Sequence, residues 1–201
     1  MNIKTAATGY VSENCYITAV NRTLYIIDPG ADPEKISDCM EELKDSADRM
    51  EILLTHAHAD HIGAAGALCK KYDISAVRLA KEDIPIYRSP DNAFPPYIPL
   101  AEDLPETCSY EQNDDYRVIP CPGHTPGGVS LLFDDGKEKH LFTGDTLFAG
   151  SIGRTDFEGG DINVMRKTLR SLCTLDDDII IHPGHGPSST IGIEKSTNSY
   201  L

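Results

Sequence analysis

The chain has 201 residues, of which 40% are hydrophobic and 25% charged, and its formal net charge is −14. This length predicts one domain, or at most two small ones, with a buried core, and we expect a single domain over residues 1–201. The acidic balance argues against duplex nucleic acid as a partner, because phosphate binding needs a basic surface. We therefore expect a small-molecule substrate and no nucleic-acid partner, with the oligomeric state left open.

Cysteine usage and the start of the chain bear on the cellular compartment. The six cysteines form no CxxC pair, and several fall in apolar segments, which is typical of reduced, buried thiols. Residues 1–10 lack a basic segment followed by an apolar core, so no signal peptide is expected. No apolar run approaches the length of a membrane span. Together these features predict a cytoplasmic protein that does not associate with membranes.

The first part of the chain alternates predicted strands and helices. Apolar runs bounded by turn residues predict strands, and apolar residues at helical spacing predict helices. In chain order we expect strands at 15–20 and 24–27, a helix at 33–44, a strand at 52–54, a loop to His61, a helix to about residue 72 and a strand at 75–79.

Residues 85–105 contain six prolines, with Tyr87, Phe94 and Tyr97 between them. Proline at this density argues against regular structure. Two interpretations stay open. The segment is either a stiff aromatic flap beside a pocket or a surface connection packed by its own aromatics.

Beyond this segment the pattern again alternates. Strands are predicted at 116–120, 129–133, 140–143 and 179–181, and a helix with an apolar face begins at Asp161. Twice along the chain a strand therefore leads to a helix through a loop that carries histidine or aspartate. Such loops are where α/β sheets usually present their chemistry.

The densest group of metal-binding residue types is His56-Ala-His-Ala-Asp-His61, directly after a predicted strand. His56 and His58 are two residues apart, so an extended backbone points both to one side. Asp60 and His61 follow where the chain turns into a helix. This spacing predicts a metal site, and one short loop can serve two adjacent ions.

Three further candidate ligands stand alone at later strand ends, each preceded by glycine: His124, Asp145 and His185. Imidazole and carboxylate together suit zinc, iron or manganese better than calcium. Cys121 is close to His124 but is not expected to be a ligand. His140 and His182 are interpreted as ordinary satisfied polar groups.

Four ordered motifs carry a family resemblance: Thr55–His61, Pro122–Gly127, Thr143–Phe148 and Pro183–Pro187. They resemble the motifs of the metallo-β-lactamase-fold superfamily over nearly the whole chain. Residues 144–157 resemble those of glyoxalase II-like hydrolases, the hydroxyacylglutathione hydrolase type. The resemblance implies an α/β fold, a four-layer αββα sandwich with two metal ions at one edge.

The resemblance also implies a role for each ligand. Asp145 would bridge two divalent ions, and Asp28 would orient the ligands around them. Zinc is the expected metal, with iron or manganese as alternatives. The first ion would be held by His56, His58 and His124, and the second by Asp60, His61 and His185.

The implied chemistry is hydrolysis by a metal-bridging hydroxide. Metal binding brings the pKa of water toward neutrality, a second ion polarises the carbonyl, and Asp60 can accept a proton during attack. A thioester suits this site because a thiol with a pKa of about 8.5 leaves as thiolate with little acid help. We therefore expect a metal-dependent hydrolase of a thioester such as a hydroxyacylglutathione.

Two departures from the family pattern concern substrate binding. We expect no counterpart after His185 of the helical region that contacts glutathione in glyoxalase II, and Arg154 stands where the family pattern has a lysine. Arg154 either grips a substrate carboxylate or pairs with Asp156. The competing functions are a mononuclear iron persulfide dioxygenase, an oxidoreductase branch of the superfamily, and a hydrolase of another ester or lactone.

Overall fold

A computed structural model describes all residues, 1–201. The chain divides into two compact units, residues 1–110 (unit 1) and 111–201 (unit 2). A single domain over 1–201 stays a prediction. No helix has the length and apolar character needed to cross a membrane.

Unit 1 contains a five-stranded mixed sheet in the order β1-β2-β3-β4-β5. The first three strands pair antiparallel, whereas β3, β4 and β5 run parallel to one another. The strands are β1 (Ile3–Thr8), β2 (Glu13–Val20), β3 (Thr23–Ile27), β4 (Arg49–Leu53) and β5 (Ile74–Arg78). The carboxyl ends of β3 and β4 therefore lie side by side.

Four helices accompany this sheet: α1 (Pro33–Glu41), α2 (Ala59–Ile62), α3 (Ala65–Lys71) and α4 (Ile84–Tyr87). Ile36 and Met40 of α1 and Leu68 of α3 are fully buried, in one cluster with strand residues such as Ile26 and Ile52. Apolar residues three or four apart thus turn one face of each helix toward the sheet.

Unit 2 contains a second five-stranded sheet in the order β12-β11-β8-β7-β6 and a two-stranded ribbon of β9 and β10. Strands β8 and β11 are parallel, and β7 is antiparallel to β8. The strands are β6 (Tyr116–Pro120), β7 (Val129–Asp134), β8 (Lys139–Gly144), β9 (Leu147–Phe148), β10 (Ser151–Ile152), β11 (Ile180–Pro183) and β12 (Ser189–Thr190).

Helices α5 (Ile162–Leu172) and α6 (Ile191–Thr197) complete unit 2. The Asp161 carboxylate caps α5 by accepting hydrogen bonds from the backbone N–H groups of Asn163 and Val164. Met165 and Leu169 of this helix are buried in one cluster with Leu141 and Ile181 of the sheet. A capped, amphipathic helix therefore packs where its sequence pattern predicted one.

The predicted elements largely match those observed, with additions. Strand β1, the short strands β9, β10 and β12, and helix α6 were not predicted. The proline-rich segment contains more regular structure than expected, namely α4 and a 3₁₀ turn at Pro90–Asn92. Pro85 and Pro90 lie in the first turn of these elements, where a missing N–H breaks no helical hydrogen bond.

Candidate functional site

The histidine loop of unit 1 begins where β4 ends, beside the end of β3. Asp28 directly follows β3, and its backbone N–H donates to the carbonyl of Leu53 at 3.0 Å. Its carboxylate accepts two hydrogen bonds from Thr55, one from the backbone N–H at 2.7 Å and one from the hydroxyl at 2.6 Å. The pairing of two parallel strands therefore delivers a buried carboxylate to the base of the loop.

Asp28 sets the orientation of two histidines. The Nδ1 of His61 lies 3.0 Å from Asp28 Oδ2, so the neutral imidazole donates from Nδ1 and keeps its lone pair on Nε2. The Thr55 hydroxyl donates a hydrogen bond to Asp28, so the hydroxyl oxygen accepts a hydrogen bond from His56 Nδ1, 3.0 Å away. His56 is thereby held in the same tautomer as His61, as is usual for metal-ligating histidines.

The imidazoles of this loop are in mutual contact. The ring centroid of His56 lies 4.9 Å from that of His58 and 4.1 Å from that of His61. Asp60 Oδ2 lies 3.9 Å from His61 Nε2, the nitrogen that carries the lone pair. Unit 1 thus brings together all four of its predicted metal ligands.

Donor atoms of Asp28, His56 and His61 also lie within 4.8 Å of one another, which would allow Asp28 itself to be a ligand. Both Asp28 oxygens, however, already accept hydrogen bonds from Thr55. We therefore interpret Asp28 as a support for the ligands, as the family resemblance implies.

Two buried carboxyl groups behind the loop were missed by sequence reasoning. Asp83 Oδ2 accepts a hydrogen bond at 3.1 Å from the backbone N–H of Ala57, the residue between the first two histidines. Glu13 accepts from the Thr8 hydroxyl at 2.8 Å, and burial raises the pKa of its carboxyl well above the ordinary value. Neither lies near the motif in sequence, so no local pattern could identify them.

Unit 2 brings its three predicted ligands to one edge of its sheet. Asp145 follows β8 and His185 follows β11, and these strands are parallel, with a hydrogen bond from Gly184 N–H to the Gly144 carbonyl at 2.9 Å. His124 lies in the loop before β7, whose amino end adjoins the carboxyl end of the antiparallel β8. Topology alone therefore gathers residues that are up to 61 positions apart, 185 − 124.

Each oxygen of Asp145 faces a different histidine. Oδ2 lies 3.6 Å from His124 Nε2, and Oδ1 lies 3.7 Å from His185 Nε2. Both distances are too long for hydrogen bonds. They fall within the span of two ligand atoms that each lie about 2.1 Å from a shared ion. The arrangement has the form expected of a carboxylate that bridges two ions.

His124 is fixed by the loop that follows β10. Its Nδ1 donates to the backbone carbonyl of Arg154 at 2.7 Å, which leaves the Nε2 lone pair toward Asp145. Gly153 permits this approach, since a Cβ there would lie 1.7 Å from the Asp145 carbonyl oxygen and 3.3 Å from His124 Nδ1. The loop that follows β10 thus contributes a backbone carbonyl to the site.

The Arg154 side chain is exposed and turned toward its own loop. It forms two hydrogen bonds with Asp156, at 2.9 and 2.8 Å, and lies over the Phe157 ring, with Cζ 4.1 Å from the centroid. The guanidinium lowers the pKa of the Asp156 carboxyl. The structure therefore adopts the ion pair that the sequence left open, and contact of Arg154 with substrate stays a prediction.

Neighbouring residues of ligand type have other partners. Burial raises the pKa of the Cys121 thiol to about 11, and its Sγ lies 3.2 Å from the Ser130 hydroxyl oxygen. His140 Nδ1 lies 3.1 Å from His182 Nε2. This contact agrees with the interpretation of the two histidines as ordinary polar groups, and it engages one of the two ring nitrogens of His140.

The two donor sets fit divalent transition metals. Each unit offers imidazole Nε2 atoms together with one carboxylate, and the Nδ1 atoms of His56, His61 and His124 are already engaged. Mixed nitrogen and oxygen donors of this kind suit zinc, iron and manganese. That the two sets form one dinuclear centre stays a prediction.

Comparison with known proteins agrees with this chemistry. The family model of the metallo-beta-lactamase superfamily matches residues 8–185. Hydroxyacylglutathione hydrolase GloC of Haemophilus influenzae is 35% identical over 212 residues, covering 100% of this chain and 98% of its own.

Two solved structures are similar over nearly the whole chain. TTHA1623, described in a di-iron-bound form, has a TM-score of 0.88 and 34% identity, covering 98% of this chain and 100% of its own. ETHE1 from Myxococcus xanthus has a TM-score of 0.72 and 25% identity, covering 99% and 84%. The expected fold class, the α/β sandwich of the metallo-β-lactamase fold, is confirmed. The chain belongs to the metallo-β-lactamase superfamily and is a metallo-hydrolase of that superfamily.

Proposed function

We propose that this protein is a dinuclear metallohydrolase that cleaves a thioester such as a hydroxyacylglutathione. The observation that carries the proposal is the geometry of Asp145, whose two oxygens face the Nε2 atoms of His124 and His185 at 3.6 and 3.7 Å. The 35% identity to a relative named hydroxyacylglutathione hydrolase supports the thioester class.

The ligand assignment follows the family resemblance. Asp145 would contact both ions. Zinc is the metal we expect, iron and manganese are the alternatives, and the relative in a di-iron-bound form supports iron. When bound, two divalent ions would bring the pKa of water toward neutrality and polarise the substrate carbonyl. His56, His58 and His124 would hold the first ion, and Asp60, His61 and His185 the second.

Side chains of the protein would orient the ligands and accept the proton released in the reaction. The hydrogen bonds that connect His56 to Thr55 and Thr55 to Asp28 fix the orientation of the His56 imidazole before substrate binds. Little reorganisation is therefore needed during the reaction. The Asp60 carboxylate would accept the proton of the attacking water. No dedicated acid is needed for the leaving group, because a thiol with a pKa of about 8.5 departs as thiolate.

The test is hydrolysis of S-lactoylglutathione by protein loaded with zinc or with iron, with bound metal measured on the same samples. We expect turnover with two ions per chain, and loss of both turnover and metal in His58→Ala. A protein that holds two ions per chain and cleaves neither this thioester nor a panel of simple thioesters would contradict the proposal.

The second candidate is the iron persulfide dioxygenase branch of the superfamily. The likeness to ETHE1 supports it, at lower identity and lower TM-score than the di-iron-bound relative. Oxygen uptake by iron-loaded protein with glutathione persulfide distinguishes the two. Persulfide-dependent uptake without thioester cleavage would replace the hydrolase with the dioxygenase.

A further inference from the structure

Unit 1 contains a pocket of about 290 Å³ beside the histidine loop. Its walls come from the β1–β2 turn, the residues after β3, the start of α2 and α3, and residues 97–102 of the proline-rich segment. Asp60, a proposed ligand and proton acceptor, belongs to the lining. A group bound in this pocket would therefore be part of a substrate whose scissile bond lies at Asp60.

The proline-rich segment contributes aromatic side chains to the histidine loop and to the pocket. The Phe94 ring stands edge-on to His58, with centroids 5.0 Å apart. Tyr97 and Leu100 line the pocket itself. Of the two interpretations left open by the sequence, the aromatic flap beside a pocket agrees with these contacts.

The mouth of the pocket is aromatic and exposed. The rings of Tyr10 and Tyr97 stack with centroids 5.5 Å apart and planes 25° apart, although 79% and 58% of these residues are exposed. Leu100 is 47% exposed. These three are the large apolar residues that unit 1 exposes, and all of them line this one pocket. Clustering of exposed apolar side chains marks a binding surface, whereas scattered ones do not.

The charged side chains that line the pocket are all acidic. Asp32, Asp60 and Glu102 belong to the lining, which contains no lysine, arginine or histidine. Apart from the ion that Asp60 would hold, a substrate carboxylate placed here would meet only the acidic side chains Asp32 and Glu102 and no basic side chain of the lining. An uncharged apolar group would instead bury the exposed rings, which is favourable in proportion to the area removed from water.

We propose that this pocket binds an uncharged, apolar group of the substrate, aromatic or branched alkyl, with Tyr10 and Tyr97 as its specificity-determining residues. The proposal rests on the proposed hydrolase function and narrows its substrate class. The preferred substrate is a thioester or ester with a neutral apolar group on one side of the scissile bond. A carrier that places a carboxylate in the pocket is a poorer substrate.

Matched thioesters test the proposal with metal-loaded protein. The acyl side is varied by comparing phenylacetyl and acetyl thioesters of N-acetylcysteamine. The thiol side is varied by comparing the acetyl thioesters of benzyl mercaptan and N-acetylcysteamine. The effect of charge is measured by comparing the phenylacetyl thioesters of N-acetylcysteamine and glutathione. We expect kcat/KM to rise about tenfold or more with the aromatic group on the side that enters the pocket, and to fall with glutathione.

Variants assign this preference to the pocket. Tyr10→Ala and Tyr97→Ala should each raise KM for the aromatic substrate about 3- to 10-fold, a larger increase than for the acetyl thioester of N-acetylcysteamine. Tyr200→Ala, which removes a tyrosine of unit 2 that is about as exposed as Tyr97, is the control and should change KM for neither substrate. Glu102→Lys should raise kcat/KM for the glutathione thioester about 2- to 5-fold by adding a cation.

The outcomes distinguish failure of the pocket proposal from failure of the proposed hydrolase function. Thioester turnover with glutathione preferred, and with both tyrosine variants unchanged, would overturn the pocket proposal and leave the hydrolase standing. If no thioester is cleaved, the hydrolase fails, and binding of the unreactive thioether S-phenethyl-N-acetylcysteamine is measured by calorimetry. Binding weakened by Tyr10→Ala and Tyr97→Ala would then support the pocket, and absence of binding would overturn it.

Discussion

The Asp83 carboxylate accepts a hydrogen bond from the backbone N–H of Ala57, 3.1 Å away, and both residues are buried. Ala57 separates His56 from His58, so this one contact fixes the backbone between two proposed ligands of the same ion. Asp83→Ala would leave the Ala57 N–H without this acceptor, which typically costs about 1–3 kcal/mol.

We therefore expect Asp83→Ala to lower both the free energy of unfolding and the metal affinity, with Asp83→Asn intermediate because an amide oxygen can still accept. Urea unfolding and a competition titration with a chelator measure the two quantities. Glu82→Ala, at an exposed neighbouring position, is the control. Wild-type metal affinity in Asp83→Ala would show that the contact does not position the loop.

The Thr55 hydroxyl links Asp28 to His56, and its removal tests that link. Thr55→Val keeps the shape of the side chain but breaks the hydrogen bonds of 2.6 Å to Asp28 and 3.0 Å to His56. Loss of such an outer contact typically costs 10- to 100-fold in metal affinity. Chelator competition should show this loss in Thr55→Val and recovery in Thr55→Ser. Equal affinities in the two variants would exclude the hydroxyl as the cause.

The candidate ligands could be singled out from the sequence because metal chemistry leaves a local signature. Three histidines and an aspartate within six residues, and glycine before His124, Asp145 and His185, are visible without any fold. The main strands and helices were predicted for the same reason, since the alternation of apolar residues is also local.

The supporting contacts could not be predicted, because they join residues distant in sequence. Asp83 lies 26 positions from Ala57, and the carbonyl of Arg154 lies 30 positions from His124. The pocket was equally hidden, since Tyr10 and Tyr97 meet only through the fold. The side chain of Arg154 shows the same limit, because sequence could not decide between a substrate carboxylate and Asp156.

Asp145 is the residue on which a two-ion site most depends. Since its two oxygens face different histidines, Asp145→Ala would remove one ligand atom from each proposed ion. We expect bound metal, measured by elemental analysis after dialysis, to fall from two ions per chain to one or fewer, with loss of turnover. Asp156→Ala, at an exposed carboxylate of the same unit, should keep both ions. Full occupancy in Asp145→Ala would contradict bridging.

Gly153 tests whether backbone packing holds Asp145 in place. A Cβ at this position would lie 1.7 Å from the Asp145 carbonyl oxygen, so Gly153→Ala must displace either the loop or the ligand. We expect Gly153→Ala to lose metal and melt at a lower temperature. Gly150→Ala is the control, since its Cβ would enter open space. This variant should lose only the free energy of unfolding that a positive φ costs an alanine, about 1 kcal/mol. Similar metal contents in both variants would show that the clash is relieved without moving Asp145.

The pair of His140, which is buried, and His182, which is partly buried, predicts a pH dependence of stability. Burial, together with the nearby His140, lowers the pKa of His182 to about 4, whereas an unfolded histidine titrates near about 6.5. Between these values the unfolded chain binds a proton that the folded chain does not. Stability is therefore fully present above about pH 6.5 and falls as the pH drops toward 4, by about 3 kcal/mol over the whole range.

Urea unfolding of metal-free protein at pH 7.5 and pH 5.0 measures this slope. His182→Gln keeps a hydrogen-bonding group beside His140 but cannot titrate, so it should lose less stability than the wild type between the two pH values. Ser188→Ala removes the contact at 3.3 Å to His182 Nδ1 while leaving the titrating ring, and should retain the wild-type slope. Because the other histidines are common to all three proteins, an unchanged slope in His182→Gln would mean that His182 is protonated equally in the folded and unfolded states.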